Sequence, residues 1–363
     1  MKKILFLADV NSSHTQKWVI GVATLGYNVA LFSISAPKSD WFSESGVTLL
    51  SEDLQGEREI FKKNDLFKIR YLQFYNNLKK KVVSFSPDII HSHYATSYGM
   101  LGSRTDIHPF VISVWGSDVF DFPNRSFFHK WFLKKIFSKA DMILSTSKIM
   151  KDEVLKYSDK NVLITPFGIE LDKFINTNSR DKDIFTLGII KSLEKHYGIH
   201  FLIEAFRKVT DKYPERKLRL IITGEGTQEL KLKQLAIQLK LTDKILFTGK
   251  IKQKDVPSMH NKFDVFVCPS LNESFGVSVL EASACEVPVI VTNAGGLKEV
   301  AINGETGLMV NPGSTDEIAD AISFFIDNPE SISVFGKKGR KFVQDNFNWK
   351  DNLVLINDIY ARL

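Results

Sequence analysis

The stretch Val265-Phe266-Val267-Cys268-Pro269-Ser270-Leu271-Asn272-Glu273-Ser274-Phe275-Gly276-Val277-Ser278-Val279-Leu280-Glu281 divides into a strand, a turn and a helix. Four apolar residues form a short buried strand, and Pro269-Ser270 ends it. A helix begins around Phe275. Its first backbone N–H groups lack partners and carry the positive end of the helix dipole, which makes an anion site suited to a pyrophosphate at the carboxyl edge of a sheet. Ser274, Phe275, Gly276 and Val277 are therefore donor-binding candidates, and Gly276 removes a side chain where a phosphate would approach. Glu281 lies about a turn and a half into the helix and could accept two hydrogen bonds from a ribose diol. Glu273, in the loop before the helix, faces the cleft. The plain alternative is a capped helix with two solvated glutamates. The strand, turn and glycine around the pair favour the functional reading.

The same alternation of strand and helix extends in both directions. Upstream, strands are expected at Ile4–Ala8, Asn28–Ser33, a run ending Ile89-Ile90-His91, Phe110–Val114 and Met142–Ser145. A polar segment without period, Leu171–Asp183, reads as an interdomain linker. Strands resume at Phe185–Ile190, Lys217–Thr223, Lys244–Phe247, Val265–Cys268 and Val287–Thr292. Alternating strands and helices imply parallel sheets covered on both faces, here as two doubly wound α/β units. The chain has 363 residues, too long for one ordinary core. The expected organisation is 1–173, 174–345 and a closing helix in 346–363 that packs back toward the first domain.

Composition excludes several classes. Hydrophobic residues make up 44% and charged residues 25%, which are globular values. The two cysteines, Cys268 and Cys285, sit in apolar runs and read as buried free thiols, and no spaced Cys/His cluster suggests zinc. Ile4–Ala8 is too short for a signal peptide and is cut off by Asp9, so the chain is expected in the cytoplasm. The net charge is +6 and uneven: up to Phe174 there are 23 Lys+Arg against 18 Asp+Glu, and after it 25 against 24. A basic first half suggests an anionic partner.

Most of the chain resembles the family 4 retaining glycosyltransferases of GT-B fold, two Rossmann-like domains facing a central cleft. The resemblance rests on the Glu-x7-Glu spacing of Glu273 and Glu281 and on Gly188-Ile189-Ile190-Lys191-Ser192-Leu193-Glu194-Lys195. It continues through Leu202–Phe206, Ile222-Thr223-Gly224-Glu225-Gly226, Phe247-Thr248-Gly249-Lys250-Ile251, Pro288-Val289-Ile290, Gly295-Gly296 and Asn303–Leu308. It implies a metal-independent enzyme, without cofactor, that moves a sugar from a nucleotide sugar to a glycan or lipid-linked acceptor. It implies that Lys191 and Lys195, with His196 as rival to Lys195, neutralise the donor diphosphate. Lys191 stands where the family usually has Arg; the charge is kept and the bidentate fork lost. Gly224 and Gly226 would admit the donor nucleotide, and Lys250 and its neighbours would edge the base pocket.

In the first half the resemblance implies that His93 contacts the donor sugar, while His91 reads as structural. Asp118, in Val114-Trp115-Gly116-Ser117-Asp118, would bind the acceptor, hold His93 or cap the next helix. His14 is an acceptor-side candidate in Asp9–Gln16, where many relatives carry a Gly-Gly pair and this chain has Ser12-Ser13-His14. The implied chemistry is front-face displacement, with Glu273 among the catalytic candidates and electrostatic stabilisation of the leaving diphosphate. The single Asp-x-Asp of the chain, Asp181-Lys182-Asp183, falls in the polar segment read as a linker and not at a strand end, so it is not expected to hold a metal.

Two segments are basic and aromatic, Arg58–Lys81 and Phe127–Lys135. Either could lie on an anionic membrane as a peripheral anchor. For Phe127–Lys135 the favoured reading puts the aromatics in the core and the lysines in water; for Arg58–Lys81 both readings stand. No nucleic-acid-binding module is recognisable. A phosphorylase, an epimerase or a non-catalytic scaffold on the same fold is the competing reading. The phosphorylase would need a further phosphate site, the epimerases typically lack this Glu-x7-Glu context, and a scaffold has no need to keep Lys191, Glu273 and Glu281 together.

Overall fold

The computed structural model describes residues 1–50 and 68–363. The chain forms two compact units, Met1–Phe167 with Asp351–Leu363, and Gly168–Lys350. The first is built on a seven-stranded parallel sheet: β1 (Lys3–Leu7), β2 (Asn28–Phe32), β3 (Thr48–Leu49), β4 (Ile89–His93), β5 (Phe110–Val114), β6 (Met142–Ser145) and β7 (Val162–Ile164). Its order is β3-β2-β1-β4-β5-β6-β7, and every pair is parallel. The second sheet contains β8 (Phe185–Ile190), β9 (Leu218–Thr223), β10 (Ile245–Gly249), β11 (Val265–Cys268), β12 (Val289–Thr292) and β13 (Gly307–Val310), in the order β10-β9-β8-β11-β12-β13. It too is parallel throughout.

Both orders reverse once, between β1 and β4 in the first sheet and between β8 and β11 in the second. In open α/β sheets the crevice outside the carboxyl ends of strands at such a reversal is where ligands bind. The cores explain why the strands read so plainly. Leu5, Leu7, Phe32, Ile90, Ile112 and Phe137 are closed from solvent in the first unit, and Leu187, Ile189, Phe206, Val265, Ile290 and Phe325 in the second. Central parallel strands are buried on both faces, so they are mostly apolar; β4 departs from this at its carboxyl end, where His91, Ser92 and His93 are buried.

The strands without an expected counterpart, β3, β7 and β13, all lie at sheet edges. There one side of the pairing is open and burial is partial, and the three strands are only two, three and four residues long, too short to show a pattern in the sequence. The polar segment read as a linker is bonded to the second unit. Asn176 Nδ2 donates to Glu286 Oε2 at 3.0 Å, Thr177 N donates to Asn261 Oδ1 at 2.6 Å, and Asn261 Nδ2 donates to Ile175 O at 2.8 Å. The change of unit comes earlier, at Gly168. The closing helix, Trp349–Arg362, contributes the fully buried Tyr360 to the first unit, where Lys2 Nζ donates to its carbonyl at 2.9 Å.

The basic aromatic segment Phe127–Lys135 departs from its expected reading. The helix Phe127–Lys139 turns Leu133, Ile136 and Phe137 inward and leaves Phe127, Phe128 and Trp131 exposed, so its aromatics are not all core residues. In Arg58–Lys81, residues 58–67 lie outside the described ones, whereas Phe74 and Leu78 are buried. Among the described residues no helix is long and apolar enough to cross a membrane.

Candidate active site

In the second unit the loops leaving β8, β9 and β10 are laced together. Lys191 N donates to Thr223 O at 2.9 Å, Leu193 N to Glu225 O at 2.9 Å, and Gly224 N to Gly249 O at 2.9 Å. This lacing is what demands glycine. Gly224 has φ +141°, and a Cβ there would lie 1.9 Å from Lys191 O; at Gly226 a Cβ would lie 2.5 Å from Leu193 O. At both positions the missing side chain lets the loop after β8 lie directly against the backbone. The loop after β11 is held in the same way. Gly296 N donates to Glu273 O at 2.8 Å, and a Cβ on Gly295 would meet that oxygen at 2.0 Å.

The lacing brings Lys191, at the end of β8, against Glu273, in the loop after β11, across the strand-order reversal. Lys191 Nζ lies 2.5 Å from Glu273 Oε2, with the side chains 15% and 8% exposed. Lys191 Nζ also sits 4.5 Å over the Tyr197 ring. Burial opposes the ammonium, but the Glu273 carboxylate, with Cys268 and Tyr197, outweighs it and raises the Lys191 pKa above its usual value. The lysine therefore stays cationic through the physiological range. Tyr197 was not anticipated; its place directly before Gly198, in the stretch searched for a diphosphate-binding lysine, was the available signal. Lys195 is exposed on the single turn Lys195–Tyr197, and His196 is exposed with its ring 4.0 Å from that of Tyr197. Lys250 pairs with Glu225 at 3.3 Å on the surface.

The helix after this loop spans Val277–Ala284, with Gly276 as its N-cap at φ +107°. A Cβ on Gly276 would fall 2.8 Å from Leu297 Cδ2, so both backbone and packing require glycine. Phe275 is buried against Phe347, with ring centroids 5.8 Å apart, and Ser274 is partly exposed. Ser278 Oγ, in the first turn, is buried and has no hydrogen-bond partner among the described residues. Glu281 Oε1 accepts from Gln253 Nε2 at 3.3 Å, and Oε2 lies 3.7 Å from Nε2 of the fully buried His260. Nothing in the sequence singled out Gln253 or His260, because their link to Glu281 exists only in three dimensions. Cys268 and Cys285 are both free and buried, and burial pushes the Cys285 thiol up to about 12.

In the first unit His93 is the last residue of β4, at the strand-order reversal. It is 1% exposed, and neither ring nitrogen has a hydrogen-bond partner among the described residues. Its ring packs 4.3 Å from that of Trp115, and the His14 ring stacks 4.1 Å from Phe167. Trp115 and Phe167, 5.4 Å apart, link the two histidines into one aromatic group. Directly after His93, Tyr94 takes the left-handed conformation at φ +68° and a single π-helical turn, Tyr94–Tyr98, follows. Both features recur at functional sites. Asp118 clamps this turn. Its Oδ2 accepts from Ala95 N at 3.0 Å, and Oδ1 accepts from Gly116 N at 2.9 Å and Trp115 N at 3.2 Å. These bonds give Asp118 a backbone-holding role beside its open role toward an acceptor.

His91 has both nitrogens bonded, Nδ1 with Tyr360 Oη at 2.5 Å and Nε2 with Ser113 Oγ at 2.7 Å. Burial pushes it down to about 3. Burial, then the neighbouring His91 and His14, hold His93 well below the usual imidazole range. Both are neutral in the folded protein. Below the unfolded value of about 6.5 the unfolded chain takes up protons the native state refuses. Their contribution is therefore complete above that pH and is lost as pH falls below it, for His91 toward about 3. Asp264 acts with the opposite sign: burial raises it to about 6, so it adds stability as pH falls through that value. Two histidines outweigh one aspartate, and urea unfolding is expected to show stability falling by on the order of 1.4 kcal/mol per pH unit from pH 7 to 5. In His91→Gln the remaining His93 and Asp264 oppose each other and the slope flattens; an unchanged slope would remove His91 as its source.

Among the described residues no cluster of His, Cys, Asp or Glu could hold a metal ion. Two doubly wound parallel units in tandem, each with polar and ionisable side chains at its strand-order reversal, have the layout of the GT-B fold. The family described as Glycosyl transferase 4-like matches residues 3–147, and the family described as Glycosyl transferases group 1 matches residues 170–342. Together these two matches cover most of the chain, which is similar along its length to glycosyltransferases of the family 4 type. It is similar to the capsular polysaccharide biosynthesis glycosyltransferase CapM of Staphylococcus aureus, 30% identical over 240 residues, 60% of this chain and 62% of that one. The fold matches a sucrose-phosphate synthase from Thermosynechococcus elongatus at TM-score 0.85, with 20% identity and coverage of 100% and 99% of the two chains. It also matches Anabaena HepE in complex with UDP-glucose at TM-score 0.77, with 16% identity over 100% of both chains.

Proposed function

We propose that this enzyme transfers a sugar, with retention at the anomeric carbon, from a nucleoside-diphosphate sugar to a glycan or lipid-linked acceptor in the synthesis of a cell-surface polysaccharide or glycoconjugate. The observation that carries the reading is the buried Lys191–Glu273 pair beside the glycine-capped start of the helix Val277–Ala284. A fixed cation and the positive end of a helix are what a departing diphosphate needs, and they act without rearrangement because the laced loops hold them. HepE, solved with UDP-glucose, and CapM, named for capsular polysaccharide biosynthesis, support the donor class and the acceptor class respectively.

In this reading the acceptor hydroxyl oxygen bonds to the anomeric carbon on the face from which the diphosphate leaves. The carbon–oxygen bond to the diphosphate breaks, and a phosphate oxygen takes the hydroxyl proton. Lys191, Lys195 and the N–H groups at Ser274–Val277 hold the growing charge, and Gly224, Gly226 and Lys250 border the nucleotide. Glu281, steadied by Gln253, receives the ribose diol. His93, buried with both ring nitrogens unbonded, offers a hydrogen bond to a sugar hydroxyl, with His14 and Asp118 on the acceptor side. Positive charge from the protein makes a divalent cation unnecessary, so turnover is expected to survive EDTA. The enzyme works in the cytoplasm, at the inner face of an anionic membrane.

Thermal shift with UDP, GDP, ADP, CMP and their sugars tests the reading. A nucleotide at 100 times its Kd stabilises by about 2.7 kcal/mol. One base is expected to shift the wild type and not Glu281→Ala. No shift with any of them removes the donor site.

A further inference from the structure

We propose that the exposed face of the helix Phe127–Lys139 is a docking surface for anionic lipid, and that it is this surface that holds the enzyme at a membrane. Phe127 is 77% exposed, Phe128 76% and Trp131 52%. Three large aromatics standing together in water on one short helix are unusual for a soluble protein, and such patches mark interaction sites. The helix does not need them for its own packing, because Leu133, Ile136 and Phe137 already supply its buried side.

Charge identifies the partner. Residues 122–140 contain Arg125, Lys130, Lys134, Lys135 and Lys139 and no acidic residue. Lys135 Nζ lies 5.2 Å over the Trp131 ring, so cation and aromatic share one face. A second feature adjoins it. Lys134 and Ser138, from the same helix, line a cavity of about 340 Å³ together with Leu155, Lys156, Tyr157 and Lys160. Asp159 also lines it, and Lys156 is paired with Glu153 at 2.7 Å, which leaves Lys134 and Lys160 as the lysines without a carboxylate partner there. Leu155 at the rim is 46% exposed.

Aromatic rings that can enter the interface, ringed by lysines and set beside a basic cavity, suit a lipid bilayer with phosphate headgroups. An acid-free face carries nothing to pair with its own lysines, which argues against a second copy of this chain as its occupant. The surface lies wholly within the first unit and is independent of the donor-site residues. It deepens the membrane element of the function proposed above by naming the surface responsible.

Co-sedimentation with vesicles tests it. The probes are vesicles of phosphatidylcholine alone and of phosphatidylcholine mixed with phosphatidylglycerol. The wild type is expected to bind the anionic vesicles roughly tenfold more tightly, with binding weakened by salt. Phe127→Ser/Phe128→Ser/Trp131→Ser is expected to lose binding to both, and Lys134→Glu/Lys139→Glu to lose the anionic preference. Trp131 emission should shift to the blue on anionic vesicles, and the shift should diminish in Trp131→Phe. These positions are exposed, so folding and the nucleotide-induced thermal shift are expected to be retained. That retention separates failure of this surface from failure of the donor site. Undiminished vesicle binding by the triple variant, or no binding by the wild type at low salt, overturns the proposal. So does a triple variant that changes only the oligomeric state, which would give the face to a second copy.

Discussion

Lys191→Ala is expected to lower kcat by roughly 10²- to 10³-fold, the range seen when a preorganised group that stabilises developing negative charge is removed. It is also expected to destabilise the fold, because Glu273 is only 8% exposed and would keep a carboxylate in a nearly dry site without its cation. Breaking a buried ion pair on one side costs about 3–5 kcal/mol, although the 15% exposure of Lys191 lets some water reach the site and reduces that figure. The two effects have different cures. Lys191→Ala/Glu273→Gln removes the orphaned charge, so most of the stability returns while the rate does not. Lys191→Arg keeps the charge but places a larger, planar group under the Tyr197 ring, and an intermediate rate is expected. Steady-state kinetics and urea unfolding on the three variants check this. If the double variant recovers turnover together with stability, Lys191 is a structural cation and the proposed role in holding the diphosphate is wrong.

The pair itself illustrates what could be read from the chain. Glu273, Glu281 and Lys191 were singled out by spacing and by family resemblance, and the fold puts Lys191 and Glu273 just beyond the ends of β8 and β11, two strands that are neighbours at the strand-order reversal. The central strands were legible because a strand buried on both faces is mostly apolar, even β4 opening with Ile89-Ile90 before its buried histidines. The edge strands β3, β7 and β13 were not, because runs of two, three and four residues are too short to show a pattern of their own. The role of Asp118 was open in sequence terms, since one of its partners, Ala95, lies on a different strand end and no local spacing reveals it. The helix Phe127–Lys139 shows a further limit. Its residues form two apolar stripes, one through Leu133, Ile136 and Phe137 and one through Phe127, Phe128 and Trp131. Helical periodicity finds both, but only the neighbouring elements decide which stripe is buried.

Glycines pose the same problem more sharply, and Gly224→Ala is the test. Glycine after a strand suggests room for a ligand. Here the missing side chain also makes room for a carbonyl group, since a Cβ at this position would lie 1.9 Å from Lys191 O. A backbone oxygen cannot swing aside as a side chain can, and Lys191 is fixed by its own bond to Thr223 O at 2.9 Å. The backbone at φ +141° adds strain of about 1–3 kcal/mol for any residue with a side chain. Together these are expected to cost about 4 kcal/mol or more, a large part of the stability of an ordinary domain. Gly249 is the control. It sits at the end of the neighbouring strand with φ +69°, but a Cβ there meets nothing within 4 Å, so Gly249→Ala should cost only about 1–2 kcal/mol. Because the clash falls on Lys191, Gly224→Ala should also abolish the nucleotide-induced thermal shift, which Gly249→Ala should leave in place. Equal costs for the two substitutions would mean that the loops are not laced as tightly as the bond pattern requires. The Lys191–Glu273 pair would then have to owe its geometry to something other than the loops that carry it.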